Sequence, residues 1–194
     1  MATPDPLLLD LPTSLSTERM LLRAPEPGDG LAFHEAVAES LPELRQFLAS
    51  LSWVGGEQSI HASEAFCRNA QVNFLARRDL PFFMFERASG KLLGATGLHR
   101  PDWATPKLEL GYWCRSGANR RGFVHEAVSA VVEYAFTQAH AVRVEAITDE
   151  ENAKSRRVVE RCGFTLEGLL RSERRAPDGS LRNTCIYARV KNAT

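Results

Sequence analysis

No stretch of this sequence approaches the roughly 20 consecutive apolar residues that a helix needs to cross a bilayer, so no membrane-spanning helix is expected. The apolar triplet Leu7, Leu8 and Leu9 lacks the basic flank and long apolar core of a secretory signal, and the expected location is the cytoplasm. Nor is there a surplus of either charge. Lys plus Arg and Asp plus Glu both number 24, so no global field draws the protein to nucleic acid or to an anionic membrane. Any polyanion it binds must be held locally. Cysteine is sparse: Cys67, Cys114, Cys162 and Cys185 show no C-x-x-C spacing, which argues against a zinc site or a disulfide framework and leaves buried free thiols. No metal site is expected. Two nucleotide signatures, G-x-G-x-x-G and G-x-x-x-x-G-K-[ST], are also missing.

What is present is the composition of a folded chain, 44% hydrophobic and 25% charged, at a length that suits one domain with elaborated loops. Residues 1–14, with Pro4, Pro6 and Pro12, read as an extended arm, and residues 15–194 as a single domain. A first strand is expected at Arg19 to Arg23, ended by Pro25, Pro27, Gly28 and Gly30. Helical spacing follows at His34 to Ala38 and Leu41 to Leu51, then again over 59–78. After Pro81 the period changes. Phe82 to Phe85 and Leu92 to Leu98 read as a hairpin, and Leu108 to Trp113 as a further strand. Phe123 to Gln138 is an amphipathic helix, Val142 to Ile147 a strand, Asn152 to Arg161 a short helix and Thr184 to Val190 a last strand. The order implies an α+β fold with a mixed central sheet and helices on its faces.

Two segments carry chemistry. The loop Arg115 to Gly122 joins a strand to a helix N-terminus and contains Arg120 and Arg121 with Gly122 behind them. First-turn amides, the positive end of the helix dipole and a side-chain-free Gly122 favour a phosphate there, although an arginine-rich loop is equally often just solvated. The second segment, Asn152 to Phe164, matches N-x-x-S-x-x-V-x-E-[KR]-x-G-F, a pattern too long to arise readily by chance.

On these residues the chain resembles the GNAT superfamily of N-acetyltransferases. The loop resembles the family's pyrophosphate motif, [QR]-x-x-G-x-[GA], with departures at Asn119 and Val124. Thr17 to Arg23, Glu109 to Trp113, Glu167 to Arg171 and Tyr187 to Arg189 resemble the ribosomal-protein N-acetyltransferases of the Rim type, which acetylate protein N-termini. The resemblance implies a GNAT fold, in which two parallel strands, here about 108–114 and 142–148, splay apart at the cofactor site. Acetyl-CoA is the implied donor. Its implied contacts are Tyr112, Trp113, Cys114, Asn119, Arg120, Arg121, Gly122, Phe123, Val124, Asn152 and Ser155. Asn152 serves equally well as a helix N-cap. Implied catalytic roles fall to Glu109 as base, with Tyr112 and His99 as weaker alternatives, and to Ser155 as proton donor to the departing thiol. The place of the tyrosine that many members use for that step holds Val159. His125 reads as structural, and Glu109 reads equally as an ion-pair partner. A backbone amide near Tyr112 to Cys114 is the implied oxyanion donor.

The implied acceptor is the α-amino group of a protein or peptide. A small amine (polyamine, antibiotic or amino acid) and a non-catalytic acyl-CoA-binding module are the alternatives, and a homodimer is an expectation by analogy alone.

Overall fold

The computed structural model describes residues 5–191. Pro4 and the other opening residues of the expected arm, and residues 192–194 of the expected domain, lie outside the described residues. Strands β1 (Ser14–Ser16) and β2 (Met20–Arg23) lead into helices α1 (Gly30–Leu48), α2 (Ser52–Gly55) and α3 (Ile60–Leu75). Strands β3 (Leu80–Glu86), β4 (Leu92–Asp102) and β5 (Lys107–Cys114) follow, then α4 (Phe123–Thr137), β6 (Arg143–Asp149), α5 (Ala153–Arg161), β7 (Thr165–Arg175) and β8 (Leu181–Val190). The expected extended arm instead contains one 3-10 turn at Pro6–Leu8, where Leu7 and Leu8 are exposed, and is docked from Leu9 onward: Leu11 is buried, Arg77 donates to the Leu9 carbonyl, and the Tyr134 hydroxyl donates to the carbonyl of Pro12.

All eight strands form one sheet in the order β1-β2-β3-β4-β5-β6-β8-β7, antiparallel throughout except for the parallel β5–β6 pair. Side chains alternate between faces along each strand, so each face has its own core. Phe82, Met84, Leu108, Leu110, Val144 and Tyr187 pack with α4, whose Ala127, Val128, Val131 and Ala135 are wholly enclosed. Phe83, Leu92 and Trp113 pack on the other face with Phe33 and Val37 of α1, Val54 of α2 and Cys67 of α3. That second core is aromatic: Phe33 stacks between Phe66 and Phe83 at 4.7 and 5.2 Å and meets Trp113 edge-on.

Several elements differ from expectation: β1 (Ser14–Ser16) precedes the expected first strand, and α2 (Ser52–Gly55) is an additional short helix after Leu51. Helix α1 starts at Gly30 and runs without a break through Pro42, because the apolar face made by Phe33, Ala36, Val37 and Leu44 outweighs the one backbone bond that a proline removes. Strand β7 was not anticipated at all. Almost every residue of Thr165–Arg175 is exposed and its register on β8 shifts twice, so it lacks the alternation by which strands are recognised.

Candidate active site

Strands β5 and β6 are paired over three residues only, Lys107 to Glu109 with Arg143 to Glu145. Beyond that they part, and Leu110 to Cys114 and Ala146 to Asp149 face each other with no ladder between them. On its other flank β5 stays bonded to β4 as far as Cys114, and β6 stays bonded to β8 as far as Asp149. The result is a V-shaped slot whose two edges each carry unsatisfied backbone donors and acceptors. Such groups call for partners, and an amide-rich extended ligand supplies them.

The slot opens toward the N-terminus of α4. Gly122 caps this helix at φ +83°, a conformation that disfavours a side chain, and offers no capping group, so the first-turn amides of Phe123, Val124 and His125 lack one. The first intrahelical bond runs from Glu126 N to the Gly122 carbonyl. With the helix dipole behind them, these amides suit an anion. Arg120, also left-handed at φ +63°, is exposed beside them. Arg121 is engaged elsewhere: its guanidinium pairs with Glu86 at 3.0 Å and lies 4.7 Å from the Phe123 ring centre. Arg19 covers the same ring at 4.5 Å, pairs with Glu126 at 2.7 Å and donates to the Arg121 carbonyl. This brace had no sequence signal, since Arg19 and Glu126 are 107 residues apart. Asn119 is exposed in the loop, and Val124, half-buried, packs on the α4 core.

The Asn152 to Phe164 motif forms the other wall, and several of its fixed positions have a local task; its Val158 is half-buried against the core. Asn152 caps α5 through Oδ1, which accepts from Ser155 N at 3.1 Å. A side-chain amide keeps two N–H donors after that, so capping and ligand contact are compatible. The neighbouring Val159, a variable position of the motif, is fully buried in the core. Glu160 accepts from the Tyr187 hydroxyl at 2.8 Å, and Arg156 donates to the same oxygen at 3.0 Å. Gly163, at φ +80°, ends the helix: its amide bonds the Glu160 carbonyl while that of Phe164 bonds Val159, a Schellman turn.

Ser155 and Tyr112 meet across 43 residues of sequence. The Tyr112 hydroxyl lies 2.7 Å from Ser155 Oγ and 2.9 Å from the Ser155 carbonyl oxygen. Burial pushes the Tyr112 phenol well above its ordinary pKa, so it stays protonated and can donate. Cys114, half-buried at the end of β5, is raised by burial to about 11 and is a poor nucleophile. By strand alternation Glu109, Gly111 and Trp113 lie on the opposite, α1 side of the sheet from Tyr112. There Glu109 forms a two-pronged ion pair with Arg100, one prong at 2.7 Å. His99 sits directly across the ladder from Glu109, and its Nδ1 is 3.3 Å from Asp79. A bonded hydroxyl pair on one face of the slot and a carboxylate on the other allow proton donation to one side and proton removal on the other. His125 remains on α4, its carbonyl receiving the Cys162 thiol at 3.9 Å. Among the described residues, no helix is long and apolar enough to cross a membrane.

Comparison with known families gives the acetyltransferase (GNAT) domain as a match to residues 19–165. The chain belongs to the GNAT acetyltransferase family. It is accordingly an N-acetyltransferase, and acetyl-CoA is its donor. A relative from Bacillus subtilis, the uncharacterized N-acetyltransferase YoaA, is 27% identical over 177 residues, 91% of this chain and 96% of that protein. Among solved structures, the microcin C7 self-immunity acetyltransferase MccE, in complex with acetyl-CoA and AMP, aligns with TM-score 0.83 at 20% identity, over 93% of this chain and 97% of its own. RimL, the ribosomal L7/L12 α-N-protein acetyltransferase in complex with CoA, aligns with TM-score 0.82 at 18% identity over the same shares. RimJ from Mycobacterium smegmatis, in complex with CoA disulfide, aligns with TM-score 0.77 at 24% identity, over 88% of this chain and 81% of its own. At these identities the three structures establish the shared fold.

Proposed function

We propose that this GNAT enzyme transfers the acetyl group to a primary amine, and that the amine is the N-terminal α-amino group of a protein or peptide. The observation that carries the reading is the parting of β5 and β6 after Glu109 and Glu145, beside the uncapped start of α4. Bound acetyl-CoA supplies an activated thioester. The free backbone groups of Leu110 to Cys114 and Ala146 to Asp149 hold the pantetheine arm, and the amides of Phe123 to His125 hold the diphosphate with Arg120 alongside, Arg121 being held by Glu86. Asn152 contributes its spare amide N–H groups. An amide on the unpaired edge of β5, near Tyr112 to Cys114, is the oxyanion donor.

The acceptor must be a free base. An α-amino group of pKa about 7.7–8.0 is roughly 10–20% neutral at pH 7, whereas a lysine at about 10.4 is neutral in only a few molecules per ten thousand. An α-amine thus needs only a mild base, and Glu109 is the nearest carboxylate on the α1 face of β5, freed for the task by a shift of Arg100. Ser155 Oγ is the donor to the departing sulfur, with Tyr112 donating to it in turn. RimL and RimJ are supports for the peptide acceptor, and MccE, solved with AMP, for a small-molecule acceptor as the second reading.

The test is a thermal-shift titration with acetyl-CoA followed by thiol release over a panel of peptides with free and blocked N-termini and a panel of small amines. Release with free but not blocked peptides is the expected result. Release confined to small amines would move the acceptor to the second reading, and binding without release to any amine would reduce the chain to an acyl-CoA-binding module.

A further inference from the structure

Helix α1 touches both sides of the slot. At residues 39 and 40 it grips the exit of β5: Glu39 Oε2 accepts from Arg115 Nε at 2.6 Å, Glu39 Oε1 from Gly117 N at 2.9 Å, and Ser40 Oγ from Ser116 N at 2.9 Å. These bonds are well enclosed at their centre, since Arg115 is only 9% exposed and Ser40 only 1%. Two turns further on, α1 is held to the exit of β6. Arg182 donates to the Gln46 carbonyl at 3.4 Å and lies over the Phe47 ring at 5.6 Å, while its guanidinium also reaches Asp149 at 3.5 Å and Glu151 at 3.4 Å. Asp149 is the last residue of β6, and Asn152 follows three residues later.

The two grips are seven residues apart, about 10 Å along a helix; one holds the loop that leaves β5, and the other, through Arg182 of β8, reaches the last residue of β6. With no ladder beyond Glu109 and Glu145, the separation of β5 and β6 is set by contacts outside it, of which Tyr112 to Ser155 is one and the two α1 grips are the others. Building on the coenzyme site proposed above, the geometry points to α1 as a strut across the open slot, with Glu39 and Arg182 as positioning residues that fix its width for the pantetheine arm. Pro42 lies between the two grips and removes one backbone bond there, so the helix can bend between its anchored ends. Because α1 also carries the aromatic core of its face against Trp113, the width of the slot and the shape of the acceptor side are set by one element.

The experiment is calorimetric titration of the purified protein, and of its Glu39→Gln, Arg182→Gln and doubly substituted forms, with CoA and with adenosine 3′,5′-bisphosphate, which lacks the pantetheine arm. The strut requires Arg182→Gln to weaken CoA about tenfold, as the loss of one or two bonds would. The same change must leave the bisphosphate within about twofold. Glu39→Gln, which also loosens the phosphate loop, weakens both ligands. The double variant loses little beyond the larger single loss, since either break releases the same strut. If Arg182→Gln fails to fold because it leaves the carboxylate of Asp149 unpaired, Phe47→Leu and Ser40→Ala test the two grips separately with the same pair of ligands. CoA affinity unchanged within twofold in folded variants with lowered Tm overturns the strut and leaves these contacts as simple packing. Failure of the unsubstituted protein to bind CoA is a different result, which removes the site reading and the strut with it.

Discussion

Substitution of Ser155 by alanine, set beside Tyr112→Phe, separates catalysis from packing at the slot. Tyr112 has one proton and two acceptors within reach, Ser155 Oγ at 2.7 Å and the Ser155 carbonyl at 2.9 Å. When it donates to the carbonyl, the serine hydrogen is free to point back at the phenol; when it donates to Oγ, the serine hydrogen is released toward the slot. A hydrogen bond to a charged group contributes about 1.5–3 kcal/mol, so loss of the Ser155 donor is expected to lower kcat roughly 10- to 150-fold. The KM for acetyl-CoA should change little, because the interaction forms as negative charge develops on sulfur. Tyr112→Phe removes one neutral bond, worth about 0.5–1.5 kcal/mol, and should reduce kcat by roughly 2- to 10-fold while lowering Tm by a few degrees. In the Ser155→Ala background the tyrosine change should add almost nothing to the kinetic loss. Thiol release under saturating acetyl-CoA, with the fastest acceptor of the panel, is the assay. A kcat within twofold of the unsubstituted enzyme for Ser155→Ala would refute the reasoning, as would equal kinetic losses from Tyr112→Phe in both backgrounds.

Three further outcomes follow from the same geometry. Glu109→Gln is expected to lower kcat by about 100-fold or more with CoA affinity retained, as removal of a general base does; a loss below threefold would leave Glu109 as the partner of Arg100 and no more. Val124 packs on the α4 core rather than over the loop, so Val124→Ala should leave CoA affinity within about threefold in a titration while changing stability by less than about 1 kcal/mol; a larger change in affinity would place its side chain against the diphosphate. Burial raises the Cys67 thiol from its ordinary 9.0 to about 12. A group raised in the folded state stabilises fully below its unfolded pKa, so stability should fall between about pH 9 and 12, with a slope approaching 1.4 kcal/mol per pH unit for this thiol. Denaturant titrations at a series of pH values should show a shallower fall for Cys67→Ala, and an identical slope would rule the thiol out as the cause.

Much of the fold was legible because local chemistry and long-range packing agree. The Asn152 to Phe164 segment reads clearly since its Asn152 cap and its terminating Gly163 are local devices. The parted strands were anticipated at about 108–114 and 142–148, on family resemblance, and the ladder does stop after Glu109 and Glu145. Strand β7 is hidden, because a strand exposed on both faces has no period to detect, and the spacing marks α1 only at His34 to Ala38 and Leu41 to Leu51, whereas the helix spans Gly30–Leu48. The pairing of Glu109 with Arg100 passes through a register shift next to a left-handed Arg100, which spacing does not report. Likewise Arg121 reads as a free phosphate ligand until Glu86, 35 residues earlier, is seen beside it. Contacts made across the sheet, between residues that no repeat relates, are the part that only three dimensions supply.

The most direct measurement is a crystal structure of this protein grown with acetyl-CoA. The account requires the pantetheine arm between Leu110 to Cys114 and Ala146 to Asp149, with the diphosphate over the amides of Phe123 to His125. Coenzyme lodged elsewhere on the molecule, or a β5–β6 ladder that closes in solution and admits no coenzyme at millimolar concentration, would contradict it.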